Sequence, residues 1–205
     1  VYGRPMTPGA RWRVPTRPVV SITLAWLAYV ALLWALQAGI YPALGSDRAV
    51  QVAGLVAGVL VTAAAIAADR TVLDAYRAPR RHWIAALVLV ATATVLVAVI
   101  RQPPGAALAR GVVFYLVGAA LPEETLFRGY LWRRVSEITS RSVWLVLVTA
   151  VLFGMMHVPR LIVQGEPLWI VGTLTLVGIV LGVLRAWSGT LPLVVGLHTA
   201  IDLLS

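Results

Sequence analysis

The chain has 205 residues, 60% hydrophobic and 12% charged, with a mean hydropathy of +0.88; soluble domains are about a quarter charged, so this is the composition of a membrane protein. Its net charge of +9 comes from seventeen arginines and no lysine, scattered between apolar runs rather than gathered on one basic face, which suits anionic lipid headgroups and argues against nucleic acid as a partner. The absence of cysteine excludes disulfides, a thiolate nucleophile and Cys-ligated zinc.

Residues 1–18, with Arg4, Arg11, Arg13 and Arg17 among four prolines, read as a basic cytoplasmic arm. Seven apolar runs follow, near 19–44, 50–68, 83–100, 107–127, 143–158, 168–185 and 190–204. They predict an all-α, polytopic membrane protein with about seven transmembrane helices in one bundle. The first run is too long for a signal-peptide core of about 7–15 residues and reads as a retained span. Gly54-x3-Gly58 and Gly178-x3-Gly182 are patterns that let helices approach closely. Pro103-Pro104-Gly105 separates N-terminal helices over 19–104 from a stretch, 105–205, expected to hold every unusual polar residue of this single membrane domain. With the N-terminus inside, thirteen arginines fall on the cytoplasmic side and four (Arg48, Arg101, Arg110 and Arg160) on the other, a clear positive-inside bias.

The informative polar residues sit in three of the last four spans. Glu123-Glu124-Thr125-Leu126-Phe127-Arg128 places two carboxylates and an arginine in an apolar run, where a charge costs several kcal/mol and is rarely present without a purpose. Glu124 and Arg128 are four apart and share a helix face, so Arg128 is expected to pair with Glu124, leaving Glu123 as the candidate general base. Pro122 is expected to kink the helix beside them. His157 follows Phe153 by four, and Asp202 follows His198 by four, a spacing that orients an imidazole or presents two polar groups to one substrate.

At about 1.5 Å per residue, Glu123 and His198 lie roughly 10–15 Å from the cytoplasmic ends of their spans and His157 roughly 20 Å. The fifth helix then has to start late or tilt, and the cavity is expected to open to the cytoplasm. Rival intramembrane protease chemistries fail by inventory: no serine lies deep in a span, Asp202 is the lone membrane aspartate of the set, and His-Glu-x-x-His is absent. Glutamate–histidine activation of water is left.

Glu-Glu-x-x-x-Arg, Phe-x-x-x-His and His-x-x-x-Asp, in this order on successive apolar helices, resemble the CPBP family, the CAAX protease and bacteriocin-processing (Abi) group that includes the type II CAAX prenyl endopeptidases. The resemblance covers roughly residues 105–205, including Gly129-Tyr130 and Gly182-x2-Arg185 through Ser188-Gly189-x2-Pro192. It implies an intramembrane endopeptidase in which Glu123, helped by His157, activates water. Glu124 and Arg128 would hold the site together, and His198 with Asp202 would stabilise the oxyanion. The prenyl endopeptidases carry Asn where this chain has Asp202, and Asp donates a hydrogen bond only when protonated.

The family is commonly labelled a metalloprotease. Glu123, His157 and His198 could supply the three N/O ligands of a catalytic zinc with one open position, or act on water directly; no metal is assigned from sequence. The expected partners are a polypeptide substrate, lipidated or not, and membrane lipids. The expected location is a prokaryotic plasma membrane, with the N-terminus and the site opening cytoplasmic. The alternative is a non-catalytic membrane scaffold, or an immunity-type binding protein that uses the same cavity. A transporter is disfavoured because the first half shows no matching broken helix.

Overall fold

The computed structural model describes the backbone of residues 16–44 and 46–205, and side chains at 16–40 and 51–205. The basic arm therefore lies, up to residue 15, outside the described residues, as does the Arg48 side chain. No strand occurs among the described residues. The helices are α1 (Thr16–Leu44), α2 (Ser46–Ala68), α3 (Arg80–Arg101), α4 (Gly105–Ser136), α5 (Ser142–Met156), α6 (Val158–Gln164), α7 (Ile170–Ser188) and α8 (Pro192–Leu204). A short 3-10 turn, Arg70–Tyr76, joins α2 to α3. Six segments are long and apolar enough to cross a membrane, with α5 and α6 counted as one, and α8 is a shorter apolar helix. Large apolar side chains such as Leu87, Ile100, Val99 and Leu176 point outward, and Trp83, Trp144, Trp169 and Trp187 are exposed near helix ends. This is the surface that lipid requires, with an aromatic belt at its margins.

Lipid is as apolar as leucine, so close packing rather than hydrophobic burial must hold such helices together. The glycines show how. A Cβ on Gly54 or Gly58 of α2 would meet Phe114, Gly118 and Pro122 of α4, and one on Gly178 or Gly182 of α7 would press on Ala150 and Val146 of α5. The closest approach to another helix's backbone joins α8 to α3, where a Cβ on Gly196 would lie 2.5 Å from the Ala86 Cα.

Cross-connections define two ends of the bundle. At one, the Leu191 N–H donates to Ala75 O at 2.8 Å, His82 meets Thr190 at 2.8 Å, and Asp69 pairs with Arg133 at 2.9 Å and also with Arg134. Burial works against the Asp69 carboxylate, but hydrogen bonds from Thr71 and the two guanidinium groups outweigh it and hold its pKa below the usual carboxylate range. Arg70, Arg77, Arg80, Arg81 and Arg141 also sit at this end, in the turns that close it. At the other end Arg101 donates to Leu204 O (2.9 Å) and Ser205 O (3.1 Å), capping the last turn of α8.

Two expectations need correction. The fourth span does not stop near 127 but continues to Ser136, because Arg128 finds partners inside the bundle and has no reason to leave it. The N-terminal helices are not devoid of unusual polar groups, since Gln37 on α1 is buried with its Oε1 lacking a hydrogen-bond partner among the described residues.

Candidate active site

The site is built around a local widening of α4. Phe114–Ala120 is π-helical, with the Leu121 N–H reaching back five residues to Leu116 O. Pro122 has no N–H to give, and the wider turn before it relieves the clash that a ring would cause in a regular helix. A second π-helical run, Thr125–Leu131, follows Glu124. Wide turns of this kind recur at functional sites because they re-aim side chains without ending the helix.

Arg128 and Glu124 are wholly buried and paired, Nη1 to Oε1 at 2.9 Å. The other guanidinium nitrogen donates to Gly178 O at 2.7 Å, in the tight α5–α7 seam, and the group lies 4.6 Å from the centre of the Phe153 ring. Glu124 Oε1 also accepts from His198 Nδ1 at 2.8 Å. A carboxylate paired with arginine can only accept, so Nδ1 carries the proton and Nε2 of His198 faces the cavity. There it lies 3.8 Å from Glu123 Oε2 and 3.5 Å from Asp202 Oδ2. Glu123 is 9% exposed, and its Oε2 has no hydrogen-bond partner among the described residues.

His157 occupies the junction where α5 gives way to α6, which answers the depth problem: α5 is short, and the imidazole hangs from its end. Its Nδ1 donates to Phe153 O at 2.9 Å, leaving Nε2 for the cavity. The Phe153 ring is the wedge between the two imidazoles, with centroids 5.1 Å from His157 and 5.5 Å from His198.

These groups line one cavity of about 470 Å³, whose wall includes Glu123, His157, His198 and Asp202. Sequence reasoning missed Tyr29, Leu33 and Gln37, which line it from α1. Their four-residue spacing is a face signal, but nothing distinguished that face from the rest of an apolar span. It also placed Arg160 in an outer loop, whereas Arg160 lines the cavity one turn after His157.

The cavity lies toward the end of the bundle where Arg101 caps α8. Its walls come from Tyr29, Leu33 and Gln37 of α1, from Phe114 to Glu123 of α4, from the last turns of α5 and α8 and from the first two turns of α7. Beneath Glu123 the bundle is closed by the buried Glu124–Arg128 pair with Phe127 and Leu131. These walls lie on the side of Glu123 away from the arginine-rich end.

The donor set Glu123, His157 and His198 has the N/O chemistry zinc accepts, but among the described residues no three His, Asp or Glu side chains are gathered closely enough to hold an ion. His198 has Nδ1 committed to Glu124, which leaves Nε2 as the nitrogen that faces the cavity.

No curated protein and no solved structure matches the chain. Residues 104–204 match the family described as type II CAAX prenyl endopeptidase Rce1-like. That stretch contains every one of the three polar pairs just described, and it places this integral membrane protein in the CPBP, or CAAX protease, family.

Proposed function

We propose that the protein is an intramembrane endopeptidase that hydrolyses a peptide bond with water activated by Glu123. The observation that carries this reading is the unpartnered Glu123 carboxylate facing, across one cavity, two imidazoles whose other nitrogens are already engaged. Glu123 takes a proton from water held between it and His157 Nε2, and the resulting hydroxide attacks the scissile carbonyl. With its Nδ1–H held by Glu124, His198 acts as the imidazolium, and its Nε2–H, beside a protonated Asp202, faces the oxyanion as it forms, the kind of preorganised stabilisation that contributes most to acyl transfer. The proton on Glu123 passes to the leaving amine as the C–N bond breaks. The direct test is turnover of a labelled peptide library by purified protein in detergent, beside Glu123→Ala; no turnover by the wild type, or equal turnover by both, removes the reading.

Asp202 stands where the prenyl endopeptidases have Asn, and its oxygen is 3.5 Å from His198 Nε2. Asp202→Asn is expected to keep most of the rate, since an amide both donates and accepts. Asp202→Ala is expected to lose on the order of 10²-fold, the lower range for one oxyanion group. Rates for the three forms decide it, and an Ala variant as fast as wild type would leave Asp202 outside the chemistry.

The arginine-rich end supports a cytoplasmic placement by the positive-inside rule, in the plasma membrane of a prokaryote. The cavity then opens to the opposite side and takes its polypeptide from the outer leaflet. In this cysteine-free chain, Ala75→Cys is expected to react with a membrane-impermeant thiol reagent only after the membrane is opened, and Gln102→Cys in intact cells. The reverse pattern overturns the orientation.

A further inference from the structure

Arg185, in the last turn of α7, is a half-buried cation that no carboxylate among the described residues answers. Its Nε donates to Arg128 O at 3.1 Å, and its Cζ lies 5.8 Å from the centre of the Trp132 ring. The group is thus held in place with its Nη donors unused. The carboxylates of this end are already paired: Asp69 with Arg133 at 2.9 Å and with Arg134, Glu137 with Arg134 at 2.6 Å, and Asp74 with Arg77 at 3.1 Å. Arg133 and Arg185 line one cleft of about 290 Å³, between the Arg70–Tyr76 turn, the second half of α4 and the end of α7. Ala75, Gly129 and Gly189 form part of its wall and are too small to fill it. The Thr71 and Ser136 hydroxyls beside it already donate, to Asp69 and to Arg133 O, so the donors left for a guest are guanidinium groups. Arg133 meets Asp69 through Nε, which leaves its own Nη pair available.

We propose that this cleft binds a phosphate group between Arg185 and Arg133, carried by a soluble phosphate or by the headgroup of an anionic phospholipid. Guanidinium groups from two helices present more N–H donors than a carboxylate can accept in good geometry, whereas phosphate oxygens can accept from both. The location suits phosphate as well. Trp187, just beyond Arg185, is exposed as an interfacial tryptophan is, so the cleft lies at headgroup depth on the side where arginine collects. It shares no lining residue with the cavity that holds Glu123, and the inference does not depend on the hydrolytic reading.

The experiment uses full-length protein in nanodiscs of phosphatidylcholine alone, and of phosphatidylcholine mixed with phosphatidylglycerol. Thermal unfolding is followed as inorganic phosphate replaces chloride at constant ionic strength. In the phosphatidylcholine discs phosphate is expected to raise the melting temperature saturably, and Arg185→Gln to weaken half-saturation at least about tenfold, the loss of one charge-assisted hydrogen bond. Arg133→Gln is expected to weaken it as well, and Arg185→Lys to keep part of it. Arg81→Gln, at an exposed arginine of the same end that does not line the cleft, is expected to change nothing. Phosphate that stays effective in the mixed discs identifies a soluble anion as the guest. Phosphate that loses its effect there, with phosphatidylglycerol carried by the wild type and not by Arg185→Gln in native mass spectra, identifies the lipid headgroup. If neither the phosphate effect nor lipid retention depends on Arg185, or if Arg81→Gln weakens both equally, the proposal is overturned. Should Arg185→Gln fail to fold, Arg133→Gln and Arg185→Lys carry the same comparison.

Discussion

Glu123→Gln is expected to lower peptide hydrolysis on the order of 10³–10⁴-fold, the upper range for loss of a positioned general base. Thermal unfolding in detergent should stay within a few degrees of wild type. The reason for expecting both together is that Glu123 does no structural work in the bundle. Its Oε2 has no hydrogen-bond partner among the described residues, and its approach to His198 Nε2, 3.8 Å, is too long for a hydrogen bond. Glutamine fills the same space, and it removes a buried group whose desolvation is not offset by a hydrogen bond to its Oε2, so stability has little to lose. An amide cannot take a proton from water, so activity has everything to lose. Paired melting curves and initial rates on one peptide check this. A variant with near-wild-type rate would mean that another group accepts the proton, and His157 would be the one left facing the same space.

Much of the site was legible because its chemistry is written in short spacings. Glu124 with Arg128, Phe153 with His157, and His198 with Asp202 are each four apart, so every pair had to share a helix face, and charge in lipid marked them as worth reading. What spacing cannot convey is how those faces rotate toward one another. That Glu124 serves both Arg128 and His198 follows from α8 packing against α3 and α4, set by Gly196 and Ala86, which carry no chemical signal at all. Phe153 was visible only as a spacing partner, yet its ring separates the imidazoles and covers the Arg128 guanidinium. Gln37 and Arg160 were invisible as site residues, because a lone glutamine in a long apolar helix and an arginine in an expected loop have ordinary explanations. The end of the bundle that the cavity faces was not legible for a related reason. Depth along each helix was counted from the cytoplasmic end, and that counting does not tell which side of the glutamates is packed shut.

Glu124→Gln should behave in the opposite way to its neighbour, costing about 3–5 kcal/mol, the range for removing one partner of a buried ion pair. Arg128 would then be left wholly buried without a counter-charge, with only the neutral acceptors Gly178 O and the amide oxygen and an aromatic face beside it. The same change weakens the charged acceptor that fixes His198 Nδ1, so activity falls along with stability. These two consequences separate in a second variant. Glu124→Met with Arg128→Met removes both charges, and replacing a buried pair with apolar side chains of similar volume is often neutral or stabilising. The double variant should therefore recover most of the lost stability. It should not recover activity, because His198 still lacks the carboxylate that holds its ring. Denaturation in detergent for Glu124→Met, Arg128→Met and the double variant gives the coupling between the charges, and rates on the same samples give the imidazole's share. If the double variant regains activity as well as stability, Glu124 acts only as a counterion to Arg128, and the orientation of His198 must come from the Phe153 ring and the packing of α8.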